Sequence, residues 1–453
     1  MKSYRLTAAA LVLPLALTAC GSSPDDELNA EGKVVLTVAM DAGLEAKAIE
    51  AFNARVADFE KANPDVDVKP QEYTWTAATF TAQLAGGTAP DVLTVPFTDG
   101  RGLIERKQIA DISGRVAGLP YASSLNPVVA KAGQSADGKQ WAVPIAAYGQ
   151  ALHYNRTLFT QAGLDPDKPP ATWAEIRGAA KQITERTGQA GYAQMTQGNT
   201  GGWILTTLDY AFGGRTEKLN GETAEATVDS PEMTEVLTTL RAMRWDDNSM
   251  GANFLYDWAG INQDFAAGRI GMYVSGGGNY GNLVTQNGLK PADYGVAALP
   301  LANKPDAGVL GGGTLAVVSS NTGERGKDAA VKWIDFYYMG KLTNQDAAVA
   351  DAKTLADTKQ PVGVPALPVV DRATYDKQQE WVKQYVNVPL GQMKPYTDKM
   401  FDQPLVTEPT KSTQEVYKIL DTTVQTLLTD RGADVAALLT KADADAQATM
   451  GRG

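Results

Sequence analysis

The sequence predicts an α/β protein built as two lobes joined by extended hinge segments. Three observations carry the prediction. At 453 residues the chain exceeds what one hydrophobic core usually organises, and chains of this size divide into domains. From Val34 onward, short β-branched runs alternate with helical patterns, as in parallel βαβ units. Between two such regions lies 141–155, WAVPIAAYGQALHYN, an apolar and aromatic stretch in which Pro144 and Gly149 disfavour a helix. An extended segment in that place reads as a hinge.

The N-terminus reads as a targeting signal. Lys2 and Arg5 precede an apolar run, 6–17, too short for a stable membrane span, and Leu17-Thr18-Ala19-Cys20-Gly21 resembles a bacterial lipobox. Residues 1–19 are then a lipoprotein signal peptide, and Cys20, the only cysteine, is the lipidated first residue of the mature chain. A chain without a free thiol has no disulfide, thiolate metal site or cysteine nucleophile. Residues 20–32, short, polar and acidic, read as a flexible tether. With 41 basic and 52 acidic side chains the net charge is −11, and losing Lys2 and Arg5 makes it more negative. Phosphate backbones repel such a surface, so nucleic acid is not an expected partner.

The elements follow in order. Residues 34–40 form a strand. Ile49, Phe52, Val56 and Phe59 recur at helical spacing until Asn63-Pro64 stops the helix. Val66 and Val68 open a second strand, and 91–96 is a third after a turn at 86–90. Beyond the hinge, Thr172-Trp-Ala-Glu175 is a capping box, whose hydroxyl and carboxylate each satisfy a backbone N–H at a helix start. That helix runs through Ile176, Ala180 and Ile183 to Gly188. Ser230-Pro231 opens another, with Met233, Val236, Leu237, Leu240 and Met243 on one face. Residues 268–275 are a turn and strand, and 294–299 a strand. Gly311-Gly-Gly313 precedes the strand 314–318, and 327–339 is one helix. Residues 341–370 hold a polar helical piece and a Pro/Gly-rich stretch at 361–368, and the chain from Asp371 is mainly helical.

Several phrases along nearly the whole mature chain belong together: Phe59-Glu-Lys-Ala-Asn-Pro64, Gly87-Thr-Ala-Pro-Asp91, Ala151-Leu-His-Tyr-Asn155, Pro170-Ala-Thr-Trp173, Phe265-Ala-Ala-Gly268 and Gly311-Gly-Gly-Thr-Leu315. In number and order they resemble the extracellular solute-binding proteins of ABC importers, in the carbohydrate-binding group that includes maltose-binding proteins. The lipobox agrees, since such proteins in Gram-positive bacteria are tethered by lipid to the outer face of the cell membrane. The resemblance implies a two-lobe periplasmic-binding-protein-like fold with the ligand in the cleft. It implies three crossings, near 146–150, 308–314 and 362–367. The lobes are then 33–146 with 314–362, and 150–308 with 367–453. It further implies a monomer without cofactor or metal that binds a sugar, a di- or oligosaccharide, and delivers it to permease subunits. The phrases specify the family more closely than the ligand, and a non-sugar solute also fits them.

Sugars are bound by aromatic faces stacking on C–H patches and by planar polar groups taking hydroxyls, and α/β clefts form at strand ends. Asp41 follows the first strand, Trp75 the second, Asp99 the third, and Tyr148 lies in the first crossing. The resemblance implies that these line the first lobe and the hinge, with Gly312 in the second crossing. Asp41 and Asp99 also suit helix or turn caps, and Trp75 and Trp203 also suit packing. On the second lobe the family carries a large aromatic after the strand that here ends in Ser275-Gly-Gly-Gly-Asn-Tyr280. Glycines replace it, so Gly277, Asn279 and Tyr280 are the candidates. Trp203, ending the polar loop 194–203, and Tyr396 complete the set. His153, the only histidine, is a packed, non-catalytic residue.

Gly276-Gly-Gly278-Asn-Tyr-Gly281 fits the dinucleotide pattern, but the stretch to Gly288 allows barely two helical turns. No Walker loop, zinc-protease motif or calcium loop is present. The alternative reading is a secreted glycosidase, which needs only two carboxylates about 5–10 Å apart. No recognisable catalytic motif accompanies the 52 acids, so the chain reads as a receptor and not an enzyme.

Overall fold

The structure, a computed structural model, describes residues 26–220 and 223–451. Ten strands are placed among them: β1 (Val34–Asp41), β2 (Val66–Tyr73), β3 (Val92–Pro96), β4 (Val143–Asn155), β5 (Glu217–Asn220), β6 (Thr223–Ala226), β7 (Met272–Gly276), β8 (Tyr294–Ala298), β9 (Val309–Val318) and β10 (Leu405–Thr407). β5 and β6 pair with each other, and the other eight join one network ordered β2-β1-β3-β9-β4-β7. β10 adds to β9, and β8 to β4.

The first βαβ unit has the expected form. β1 and β2 pair in parallel from Val34↔Val66 to Asp41↔Tyr73, and the helix Ala46–Ala62 makes the crossover. β1 alternates buried and half-buried residues, as a strand with one face on the core should. β4 and β9 do something different. Residues 143–149 of β4 pair antiparallel with β9, whereas 150–154 pair with β7 and 151–155 with β8. The hydrogen-bonding partner therefore changes at Gly149–Gln150. From Gly149 onward β4 is buried at every position, because both its faces are covered there. The ladder to β9 shifts register between Pro144 and Ala146, at the residue that lacks a backbone N–H.

Two large hydrophobic cores lie on either side of that change. One contains Leu36, Phe59, Leu93, Val143, Leu315 and Trp333. The other contains Leu152, Ile183, Leu237, Phe265, Val309 and Leu420. Trp333 meets Phe59 edge-on at 5.2 Å, and both rings are almost fully buried. Truncating either to alanine would cost about 3–5 kcal/mol through lost transfer energy and the cavity left behind. Leu367, at the end of the segment read as the third crossing, and Val369 and Val370 just beyond it also pack in the first core. A third, small cluster gathers Ala348, Ala352, Val362 and Val382.

The capping box at Thr172 is complete. Glu175 N–H donates to Thr172 Oγ1 at 3.2 Å, and Thr172 N–H donates back to Glu175 Oε2 at 3.2 Å. Two expectations change. Gly311–Gly313 lies inside β9, which already begins at Val309, because those glycines are laddered to β4. The helix read as 327–339 is α-helical only over Glu324–Ile334 and then widens to a π turn over Asp335–Met339. Part of the stretch read as a tether is hydrogen-bonded. Asp26 accepts the Gly326 N–H at 2.8 Å, at the start of that same helix, and Asn29 donates to Asp67 at 2.9 Å. Cys20 and the signal peptide lie outside the described residues.

Candidate functional site

The site is built on the shared strands. Tyr148 of β4 pairs with Gly312 of β9, and Ala146 with Thr314, so one face of this ladder forms a common floor. A Cβ on Gly312 would stand 2.7 Å from Tyr148 Oη, so the ring lies directly over the glycine.

One wall rises from the second core. It encloses about 530 Å³, lined by Tyr148, Trp203, Trp258, Ser275, Asn279 and Asn282 with Gly276 and Gly278. An adjoining space of about 360 Å³ shares Trp203 and Trp258 and adds Asn199, Glu408, Gln414 and Tyr417. Trp203 sits in the helix Thr200–Ala211 and not in a loop as expected. Gly202 makes this arrangement possible: a Cβ there would meet the Tyr417 backbone at 2.2 Å, so only glycine lets the two helices approach. The Asp421 carboxylate accepts N–H donors from Asn199 and Gly202 at 2.7 and 2.8 Å, which fixes the helix start and with it the indole. Tyr148 meets Trp203 edge-on, with ring centres 6.3 Å apart. Its hydroxyl donates to Glu408 Oε1 at 2.6 Å, and Tyr417 donates to Glu408 Oε2 at 3.3 Å. Burial, then the neighbouring carboxylate, pushes both phenols far above their ordinary range, so both stay neutral donors.

The other wall belongs to the first core and encloses about 630 Å³, lined by Asp41, Trp75, Thr94, Ala146, Thr314, Tyr337 and Tyr338 among others. The π turn carries Tyr337 and Tyr338, and its extra residue turns two consecutive rings toward this space. Trp75 Nε1 donates to Asp99 Oδ2 at 3.0 Å. Burial raises the Asp99 carboxyl, and the Trp75 bond partly offsets this. Asp99 thus stands behind the indole and holds it, while exposed Asp41 faces the space directly.

The structure therefore brings Tyr148, Gly312, Trp203 and Asn279 to one wall and floor, and Asp41 and Trp75 to the other. Asp99, bonded to the Trp75 indole, lines neither wall, and three more expected residues lie elsewhere. Tyr280 is 2 % exposed and packs on Tyr294 with ring centres 5.0 Å apart, inside the second core. Tyr396 is equally buried, and its ring fills the place a Cβ on Gly277 would need, at 2.5 Å. Tyr396 and Gly277 thus pack against each other behind the glycine loop and offer no face to the cleft wall. Asn279 commits its amide nitrogen inward, donating to Asn262 Oδ1 at 2.8 Å and Tyr273 Oη at 3.0 Å. His153 is fully buried, bonded to Tyr294 Oη at 3.0 Å, and burial lowers it to about 4, so it stays neutral. Sequence reasoning missed Trp258, Glu408, Tyr417, Tyr337 and Tyr338. Trp258 had a signal: it is the first residue of a helix capped by Asp257, and it is 38 % exposed.

Among the described residues no group of three or more His, Cys, Asp or Glu side chains is placed to hold a metal. No helix among them is long and apolar enough to cross a membrane.

A family profile described as bacterial extracellular solute-binding protein matches residues 42–339. The sn-glycerol-3-phosphate-binding periplasmic protein UgpB of Escherichia coli O6:K15:H31 is 25 % identical over 400 residues, covering 84 % of this chain and 82 % of the relative. Among solved structures, the cyclic α-maltosyl-1,6-maltose binding protein of Arthrobacter globiformis superposes with a TM-score of 0.70 at 24 % identity, over 93 % of this chain and 100 % of the other. The sugar-binding protein MalE of Xanthomonas citri also gives a TM-score of 0.70, at 18 % identity over 92 % and 98 % of the two chains.

Proposed function

The chain belongs to the bacterial extracellular solute-binding proteins, the receptors of ABC importers, and on that premise we propose that it is a lipid-anchored receptor for a sugar. The ligand is a di- or oligosaccharide held between the two walls, and the receiving partner is a membrane permease. One observation supports this above the others: two walls, each carrying an indole and a phenol, meet along the single floor of β4 and β9. Aromatic faces suit the C–H patches of pyranose rings, and phenol hydroxyls and carboxylates suit their hydroxyls. The names of the structural neighbours point to sugars, and the name of the curated relative to a phosphorylated glycerol.

The lobes of this receptor are 33–146 with 314–362, and 150–308 with 367–453. Ligand bridging both walls favours the closed form, because contacts to both lobes exist together only when the cleft is shut. Cys20 anchors the protein outside the membrane, and it works as a monomer. It performs no chemistry on its ligand.

The test is a thermal-shift screen of the mature protein against a panel of mono-, di- and oligosaccharides, followed by chromatography of the recovered ligand. At least one sugar should raise the melting temperature and return unchanged. Hydrolysis products would mark a glycosidase, and a panel without any stabilising sugar would end the sugar reading.

A further inference from the structure

Resting on the sugar reading above, we propose that Glu408 makes this cleft selective for uncharged hydroxyl-bearing ligands and closes it to phosphate esters. Glu408 follows β10, and its carboxylate faces the space between Trp203, Trp258 and Tyr417. Each oxygen already accepts one tyrosine hydroxyl, from Tyr148 at 2.6 Å and from Tyr417 at 3.3 Å. A carboxylate has about four lone-pair sites, so roughly two remain for donors brought by a ligand.

Among the described residues no lysine or arginine lines either wall. The opposite wall contributes a second carboxylate, Asp41. A sugar hydroxyl is a neutral donor and completes Glu408. A phosphate monoester carries about −1.5 to −2 charges near neutral pH and in that form offers mainly acceptors. Set beside Glu408 it meets like charge in a partly desolvated place, with no guanidinium or ammonium among the residues lining that side. The curated relative is named for sn-glycerol 3-phosphate, so this cleft differs from what that name alone would suggest.

The experiment titrates the mature protein calorimetrically with the uncharged sugar from the screen, with the phosphate ester of that sugar, and with sn-glycerol 3-phosphate. It is repeated on Glu408→Gln, which keeps the shape and can still pair with both tyrosines. For the wild type the ester should bind at least about 100-fold more weakly than its parent sugar, with glycerol 3-phosphate giving no saturation. In the variant that ratio should narrow at least about tenfold, with the unliganded melting temperature little changed. If a sugar binds but its ester binds equally well, or the variant leaves the ratio unchanged, the charge gate is overturned and the sugar reading stands. A wild type that takes glycerol 3-phosphate as well as a sugar overturns the gate alone, and one that takes no uncharged sugar overturns both.

Discussion

Tyr148 is held on three sides, by Gly312 beneath, Trp203 at its edge and Glu408 at its hydroxyl. A ring held in this way suits the stacking role proposed for it. Tyr148→Ala should weaken binding of the cognate sugar by about 2–4 kcal/mol, roughly 30- to 1,000-fold, in a calorimetric titration. The unliganded melting temperature should fall less than for a core truncation, because the ring borders open space. An unchanged dissociation constant with a sharply lowered melting temperature would make Tyr148 a core residue. The position of Tyr148 was legible because a single extended segment places it; that of Glu408 was not, since its partner lies 260 residues away in sequence. A different residue sets a pH dependence. Asp209 is fully buried, and neither carboxylate oxygen has a hydrogen-bond partner among the described residues. Burial, reinforced by Glu232, raises it to about 7. The folded protein therefore holds a proton that the unfolded chain releases near pH 4, and stability falls as pH rises from about 4 to 7. Asp209→Asn should remove that slope, on the order of 1 kcal/mol per pH unit, and gain stability relative to wild type at pH 8. Urea melts at pH 5 and pH 8 measure it, and parallel behaviour of the two proteins would refute it.

At the scale of elements, β9 and the π turn show where pattern reading stops. Glycines are poor strand formers, so Gly311–Gly313 read as preceding a strand that starts at Thr314. Their pairing with β4 requires them: a Cβ on Gly311 would meet the Tyr148 carbonyl at 2.4 Å, and one on Gly313 the Ala146 carbonyl at 2.2 Å. Gly312 is the position where the added atom meets a side chain and not the backbone. Gly312→Ala should therefore fold, tilt the Tyr148 ring away from Glu408, and weaken sugar binding at least about tenfold, at a stability cost of about 1–3 kcal/mol. Titration and melting of the same sample separate the two effects, and full affinity in the variant would show that the ring's seat on Gly312 is irrelevant. The π turn left no period of its own in the sequence, because Trp333, Ile334, Tyr337 and Tyr338 also satisfy an ordinary helical face. What accompanies it is tertiary: Phe52, from the crossover helix Ala46–Ala62, packs on Trp333 and Tyr337 with ring centres 5.9 and 5.2 Å apart. The capping box, in contrast, was fully legible because both of its bonds are local.

For the molecule as a whole, the α/β class was readable from strand–helix alternation, and the family from phrases that recur in order along the chain. The anchor proposed at Cys20 is a separate matter of processing. Cys20→Ser should move the protein from the membrane fraction to the medium in a fractionation assay, and undiminished membrane retention would rule out lipid attachment there. The interleaving of the two cores also governs the order in which the protein can be made. β3 ends at Pro96, yet the strand that covers its open edge, β9, begins only at Val309. At about 5–20 residues per second, synthesis leaves that edge unpaired for roughly 10–40 s. The first half of the chain therefore leaves the ribosome without the means to finish its own core. A strand edge left open that long is prone to aggregate unless the chain is kept unfolded. For a protein bound for export this delay is useful, since a chain that cannot fold early is one that can still be threaded through a membrane.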